Sequence, residues 1–182
     1  MNNKYFNLII ATVLIVIAAT SRVVLSEAHL YNFAPIGALG LFSGAVIKDK
    51  RYAFLLPLLA QFGADVYFQF FTNTPGFYNI SQFFTYAGLA AATLLGTRMK
   101  LGNTISILGY SLGASSLFFL FSNLGFFAEG WNGYSLQGLA KTFIDAIPFY
   151  KNTLAGDLIG SIVLFFIFSK LTNTNQVEVS KA

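Results

Sequence analysis

Long apolar runs alternate with short clusters of charged or turn-forming residues along the whole chain. Tyr5 to Leu25 is the first run, preceded by Lys4 and carrying Arg22 near its far end. It is long for a secretory signal, and no small-x-small cleavage site follows Ala18-Ala19-Thr20, so it reads as an uncleaved helix. The loop Ser26 to Ala34 leads to Pro35, which suits the first position of a second helix running to Ile47. Gly37, Gly40 and Gly44 permit close helix contact there. That helix is short for a span, so part of the preceding loop is expected at membrane depth, packed on protein.

Lys48-Asp49-Lys50-Arg51 separates it from a third helix, Tyr52 to Phe71. Pro57 predicts a kink, and Gln61, Asp65 and Gln69 step by four along one face. Thr72 to Gly76 is a breaker. A fourth helix, Tyr78 to Thr97, places Asn79, Gln82 and Tyr86 on one face, and a fifth, Asn103 to Leu124, carries Gly109 and Gly113. Phe126 to Gly138 reads as a loop whose Glu129, Trp131 and Tyr134 suit a lipid headgroup zone.

The pattern then changes. Leu136, Leu139, Ala140, Phe143, Ile144 and Ile147 fall on one helical face, with Gln137, Lys141 and Asp145 on another, as in a helix lying along a membrane surface. Pro148 is expected to end or turn it. Asn152 would cap a last helix, Thr153 to Leu171, which Asp157 enters about one turn in. An acid at that depth is costly unless something pairs with it.

Of the 182 residues 55% are hydrophobic and 10% are charged, against about 25% charged in a soluble domain. Mean hydropathy is +0.65. The expected fold is therefore an all-α integral membrane protein of six transmembrane helices, with a short interfacial helix before the last span. Residues 1–171 form a single domain and 172–182 a polar tail. The net charge of +4 does not suggest nucleic acid, because the cations sit between apolar runs and not on one face. With no cysteine there is no disulfide, thiolate nucleophile or cysteine metal site. With both termini cytoplasmic, Lys4, Lys48, Lys50, Arg51, Arg98, Lys100, Lys170 and Lys181 lie inside and only Arg22, Lys141 and Lys151 on or near the other side, as the positive-inside rule asks.

In that orientation the intramembrane polar residues of different helices fall at one shallow depth under the outer face. Arg22, Asp65, Asn79, Gln82, Asn123 and Asp157 converge there, roofed by two loops and the surface helix. Such a cluster describes a ligand cavity open to the outside. The candidate binding residues are these six with Asn32, Phe33, Trp131 and Asn152. Arg22 would serve as counter-ion or anion contact; Asn32, Phe33 and Trp131 would form a lid. Arg22 neutralising Asp65 or Asp157 for structure alone is the competing reading. His29, the only histidine, makes no metal site by itself. Walker, His-Glu-x-x-His and Gly-x-Ser-x-Gly motifs are absent, and no enzyme activity, cofactor or metal is expected.

Arg22, the string Asn32-Phe-Ala-Pro-Ile-Gly-Ala-Leu-Gly-Leu-Phe-Ser-Gly44, Ser122-Asn-Leu-Gly125 and Ala146-Ile-Pro-Phe-Tyr-Lys-Asn-Thr-Leu-Ala-Gly-Asp157 resemble a family of small bacterial membrane proteins of mostly unknown function. That family looks related to the substrate-binding S components of energy-coupling-factor vitamin transporters. The resemblance implies a six-helix bundle in the bacterial cell membrane, a vitamin-like ligand bound near the outer face, and a transmembrane coupling subunit with ATPases as partner. One departure is local: S components carry Ala-x-x-x-Ala in the first helix toward that partner, whereas here Ala11 is followed by Ile15. A non-transporting assembly protein and an ion-coupled carrier are the alternative functions.

Overall fold

In the computed structural model, residues 3–101 and 103–179 are described, with side chains over 5–101 and 103–172. Six helices occupy them: α1 (Asn3–Glu27), α2 (Ile36–Val46), α3 (Lys50–Phe71), α4 (Asn79–Gly96), α5 (Thr104–Ala128) and α6 (Leu136–Val179). No strand occurs among the described residues. Four helices, α1, α3, α5 and α6, are long and apolar enough to cross a membrane.

The arrangement is a ring around an axle. α2 packs against each of the other five helices. Those five touch one another in the closed order α1–α3–α4–α5–α6–α1. The reason lies in composition: Gly37 to Gly44 are all buried, and small residues let neighbouring backbones approach from several sides. The tightest approach is to α4. A Cβ on Gly44 would lie 2.0 Å from the Thr93 carbonyl oxygen, and one on Gly96 2.2 Å from that of Leu41. Phe42 is fully buried and packs edge-on against Phe165 and Phe168 of α6. Outward faces are apolar, as lipid contact requires: Ile9, Val13, Val16 and Ile17 of α1 are each about half exposed.

At about 1.5 Å per residue, the 11 residues of α2 rise only about 16 Å, less than half the length of α1 or α5. The axle is too short to fill the ring, and one end of the ring is left hollow.

The C-terminal third corrects the expectation of a separate surface helix. α6 is continuous from Leu136 through Pro148 and beyond. A proline inside a helix loses one backbone hydrogen bond and crowds the carbonyl four residues earlier, at a cost of about 3 kcal/mol. Here α5 holds both sides of it. Phe119 meets Phe143 before the proline, at 5.8 Å between ring centroids, and Tyr150 after it, at 4.6 Å. The Tyr150 hydroxyl also bonds Ser116, at 2.8 Å. Asn152 accordingly caps nothing and sits within the helix. Pro57 is likewise accommodated inside α3. Pro35 precedes α2 as its N-cap residue instead of starting it.

Candidate functional site

Asp65 is fully buried about two turns before the end of α3 and is surrounded by donors. Its Oδ1 forms an ion pair with Arg22 Nη1 of α1 and accepts from Gln61 Nε2 at 3.4 Å. Its Oδ2 accepts from the Tyr86 hydroxyl at 2.7 Å and Gln82 Nε2 at 3.2 Å, both on α4. Spacings of four generate this set: Gln61 and Asp65 share a face of α3, and Gln82 and Tyr86 a face of α4. Removing one partner of such a buried pair leaves an uncompensated charge. Phe68, one turn beyond Asp65, presents its ring to the Arg22 guanidinium, 4.9 Å from the centroid.

Arg22 connects this node to the hollow. A cavity of about 570 Å³ lies over the end of α2. Ala34 and Ile36 close that end, and α1, α4, α5 and α6 contribute Arg22, Thr85, Asn123 and Tyr150 to the wall. Phe68, Phe118, Phe119 and Phe149 supply flat apolar surface, and Ser26, Ser122 and Thr153 supply hydroxyls. Arg22 is the only charged residue in this lining among the described residues. With Asp65 behind it the wall carries a cation already neutralised. That is a setting for a hydrogen-bond acceptor more than for a multiply charged anion. Asn32 lines the rim, with its backbone in the left-handed region at φ 60°, a conformation asparagine tolerates.

Asp157 belongs to a second node. It is fully buried and forms no ion pair among the described residues. Its Oδ1 accepts from the backbone N–H of Ala38 at 2.9 Å. Ala38 lies in the first turn of α2, whose own N-cap residue, Pro35, offers no side-chain cap. The acid is thus a cap delivered from α6, 119 residues away, at the end of a helix where the dipole favours negative charge. Glycines make the fit possible. A Cβ on Gly37 would lie 2.5 Å from Asp157 Oδ2, and one on Gly156 2.0 Å from the Phe33 carbonyl oxygen. Asn152 Nδ2 donates to the Tyr31 carbonyl at 3.2 Å. On the α5 side, Ser111 Oγ donates to the Asp157 carbonyl at 3.0 Å. Asp157 Oδ2 and Ser115 Oγ are both buried and make no well-aligned hydrogen bond, with Ser115 and the Gly37 N–H lying close to the carboxylate.

Glu129 forms a third such link, outside the spans. Its Oε1 accepts from the Ser81 hydroxyl and from Ser81 N at 3.3 Å, in the first turn of α4. Its Oε2 accepts from Trp131 Nε1 at 2.8 Å. The Ser81 hydroxyl, followed by the Trp131 indole, holds this carboxyl below its ordinary range.

The expected convergence therefore separates into parts. Arg22, Asn32 and Asn123 line the cavity. Asp65 and Gln82 stand behind its wall, saturated by each other and by Arg22 and Tyr86. Asp157, Asn152 and Phe33 fasten α6 to the start of α2 instead of lining the cavity, because their polar groups or backbones are taken up in that joint. Asn79 is exposed at the first position of α4, and Trp131, 70% exposed, lies against Glu129 and Phe126. Thr85, Ser122 and Tyr150 line the cavity and were not anticipated; as single small or aromatic residues in apolar runs they carry no signal of their own.

Fold and cavity together define a helical membrane protein with a hollow between its helices. The chain belongs to a family of unknown function (DUF6580), which matches residues 2–179. Comparison with curated proteins and with solved structures finds no match.

Proposed function

We propose that this protein is a substrate-binding membrane subunit for uptake of a small nutrient, a vitamin or cofactor precursor, captured in the cavity over α2. The observation that carries the reading is the cavity itself: about 570 Å³, within the range of small-molecule sites, lined by aromatic and hydroxyl groups around one arginine. A dipolar or singly charged, largely flat molecule suits a wall where Asp65 already neutralises Arg22. In this reading the chain crosses the bacterial cell membrane six times, with α4 and α2 plus its leading segment as the shorter crossings. Both termini are cytoplasmic and the cavity faces out, in keeping with the distribution of cations.

The resemblance to S components further suggests an ATPase-driven coupling subunit as partner. Any such contact would not use the position of the missing alanine motif, since Ala11 and Ile15 are packed inside the bundle. An assembly role without transport is the second reading. It is favoured by Gly63 and Gly109, two helical glycines with open space beside them where another helix could approach.

The test is to purify the chain in mild detergent and analyse by mass spectrometry what it retains. A small molecule at about one per chain is expected, absent from Asn123→Trp, where the larger ring fills the cavity. A wild-type protein that retains nothing, and confers no uptake difference on cells across a vitamin panel, refutes the proposal.

A further inference from the structure

A second hollow lies at the opposite end of the bundle. It is a groove of about 480 Å³ between the start of α5 and the second half of α6. Its chemistry is graded along its length. Asn103 and Thr104 at the start of α5 and Ser169 and Thr172 of α6 line its outer part, and Ile107, Ile162, Phe165 and Phe166 line it further in. Helices α5 and α6 run antiparallel there, so the polar residues of both lie at one level, beside Leu101 and Phe168, and further in the lining is wholly apolar. From Thr172 to Ile162 is about 15 Å of helix, the reach of much of an acyl chain within one leaflet. Arg98 and Lys100, both exposed, stand in the linker that leads through Leu101 of the groove into α5. The N-terminal end of α5 adds partial positive charge. Among the residues whose side chains are described, Asp49 is the acid on this side, and it caps its own helix through Arg51 N.

We propose that this groove is a binding site for an anionic phospholipid of the cytoplasmic leaflet. One acyl chain lies along Ile107, Ile162 and Phe165. The phosphate sits at the polar end, near Arg98 and Lys100. Apolar grading alone would take any lipid; the single-sign charge at the polar end selects an anionic headgroup. The inference does not rest on nutrient binding, because the groove and the cavity occupy opposite ends of the bundle and share no lining residue.

The full chain is placed in phosphatidylcholine nanodiscs containing a minor fraction of phosphatidylglycerol, and retained lipids are counted by native mass spectrometry. Phosphatidylglycerol is expected at about one per chain, displaced by raised salt. Arg98→Gln with Lys100→Gln should weaken its retention by about thirtyfold, as two cations at a headgroup surface predict. Ile162→Trp should block the groove and abolish retention. Arg51→Gln, the loss of one cation on the same side but outside the groove, should change nothing. All three variants alter exposed positions, and unchanged melting temperatures in phosphatidylcholine confirm that they fold. Equal retention of phosphatidylcholine, equal loss in Arg51→Gln, or a partner protein cross-linked in the groove of native membranes with no lipid retained would each overturn the proposal.

Discussion

The capping of α2 by Asp157 gives the sharpest test of how this bundle is held together. In Asp157→Ala the Ala38 N–H loses its acceptor in a fully buried position. An orphaned buried donor costs about 1–3 kcal/mol, and loss of a cap by itself about 1 kcal/mol. Those two figures describe the same lost contact and are not summed, but the vacated carboxyl volume adds a further penalty. We expect Asp157→Ala to lose about 2–3 kcal/mol, or roughly 4–12 °C in melting temperature for a chain of this size. Asp157→Asn should behave differently. Its Oδ1 still accepts from Ala38, while the amide that replaces Oδ2 can donate to Ser115 Oγ. Its loss should be under about 1 kcal/mol, since removing an acid from membrane depth offsets the weaker bond. Thermal unfolding of the purified protein, followed by tryptophan fluorescence or dye-free light scattering, separates the two. If Asp157→Ala melts within a degree of wild type, the acid does not hold α2 in place. If Asp157→Asn is as damaged as Asp157→Ala, a negative charge, and not an acceptor, is what the site requires.

Three further expectations test the other contacts. Arg22→Gln leaves Asp65 buried without its cation and should destabilise by about 3–5 kcal/mol, whereas Arg22→Gln with Asp65→Asn should recover most of the melting temperature; failure to recover would mean that Arg22 stabilises through the cavity wall and not through Asp65. Gly44→Ala and Gly96→Ala each drive a methyl into a backbone carbonyl of the facing helix and should prevent stable folding, read as loss of a monodisperse peak on size exclusion, while Gly109→Ala, with open space, should not. The carboxyl of Glu129 is held below its unfolded value, so the stability it contributes is present above about pH 4.3 and is lost as pH falls through the folded value; Glu129→Gln should flatten that acid limb of melting temperature against pH, and an unchanged limb would exclude the Ser81–Glu129–Trp131 link as its source.

Much of the helical framework was legible because apolar runs and turn clusters alternate so plainly. The bounds of α3 and α5 differ from expectation by a few residues at their ends. What misled was Pro148. Its local preference is real, but contacts of Phe143 and Tyr150 with one residue of α5, Phe119, lie 24 or more positions away in sequence and carry no local sign. The pairing of Arg22 with Asp65 was one of two open choices, since depth along a helix ranks partners without giving rotation about its axis. Rotation is also why Asp157, at a suitable depth, faces α2 and not the cavity. Asn32, Phe33, Asn152 and Asp157, the candidate binding residues in the two most distinctive strings, divide: Asn32 lines the cavity, while the others form a joint, with Asn152 on Tyr31, Gly156 on Phe33 and Asp157 on Ala38.

The shortness of α2 bears on what sets the depth of the chamber. Because the surrounding helices already close on one another, adding or removing a turn at the head of the central helix moves the floor of the chamber, and with it the joint that Asp157 and Gly156 of α6 make to Ala38 and Phe33. Each turn shifts that floor by about 5 Å, the length of a small ring. The depth of the chamber is therefore set jointly by the segment between Glu27 and Ile36 and by its joint to α6.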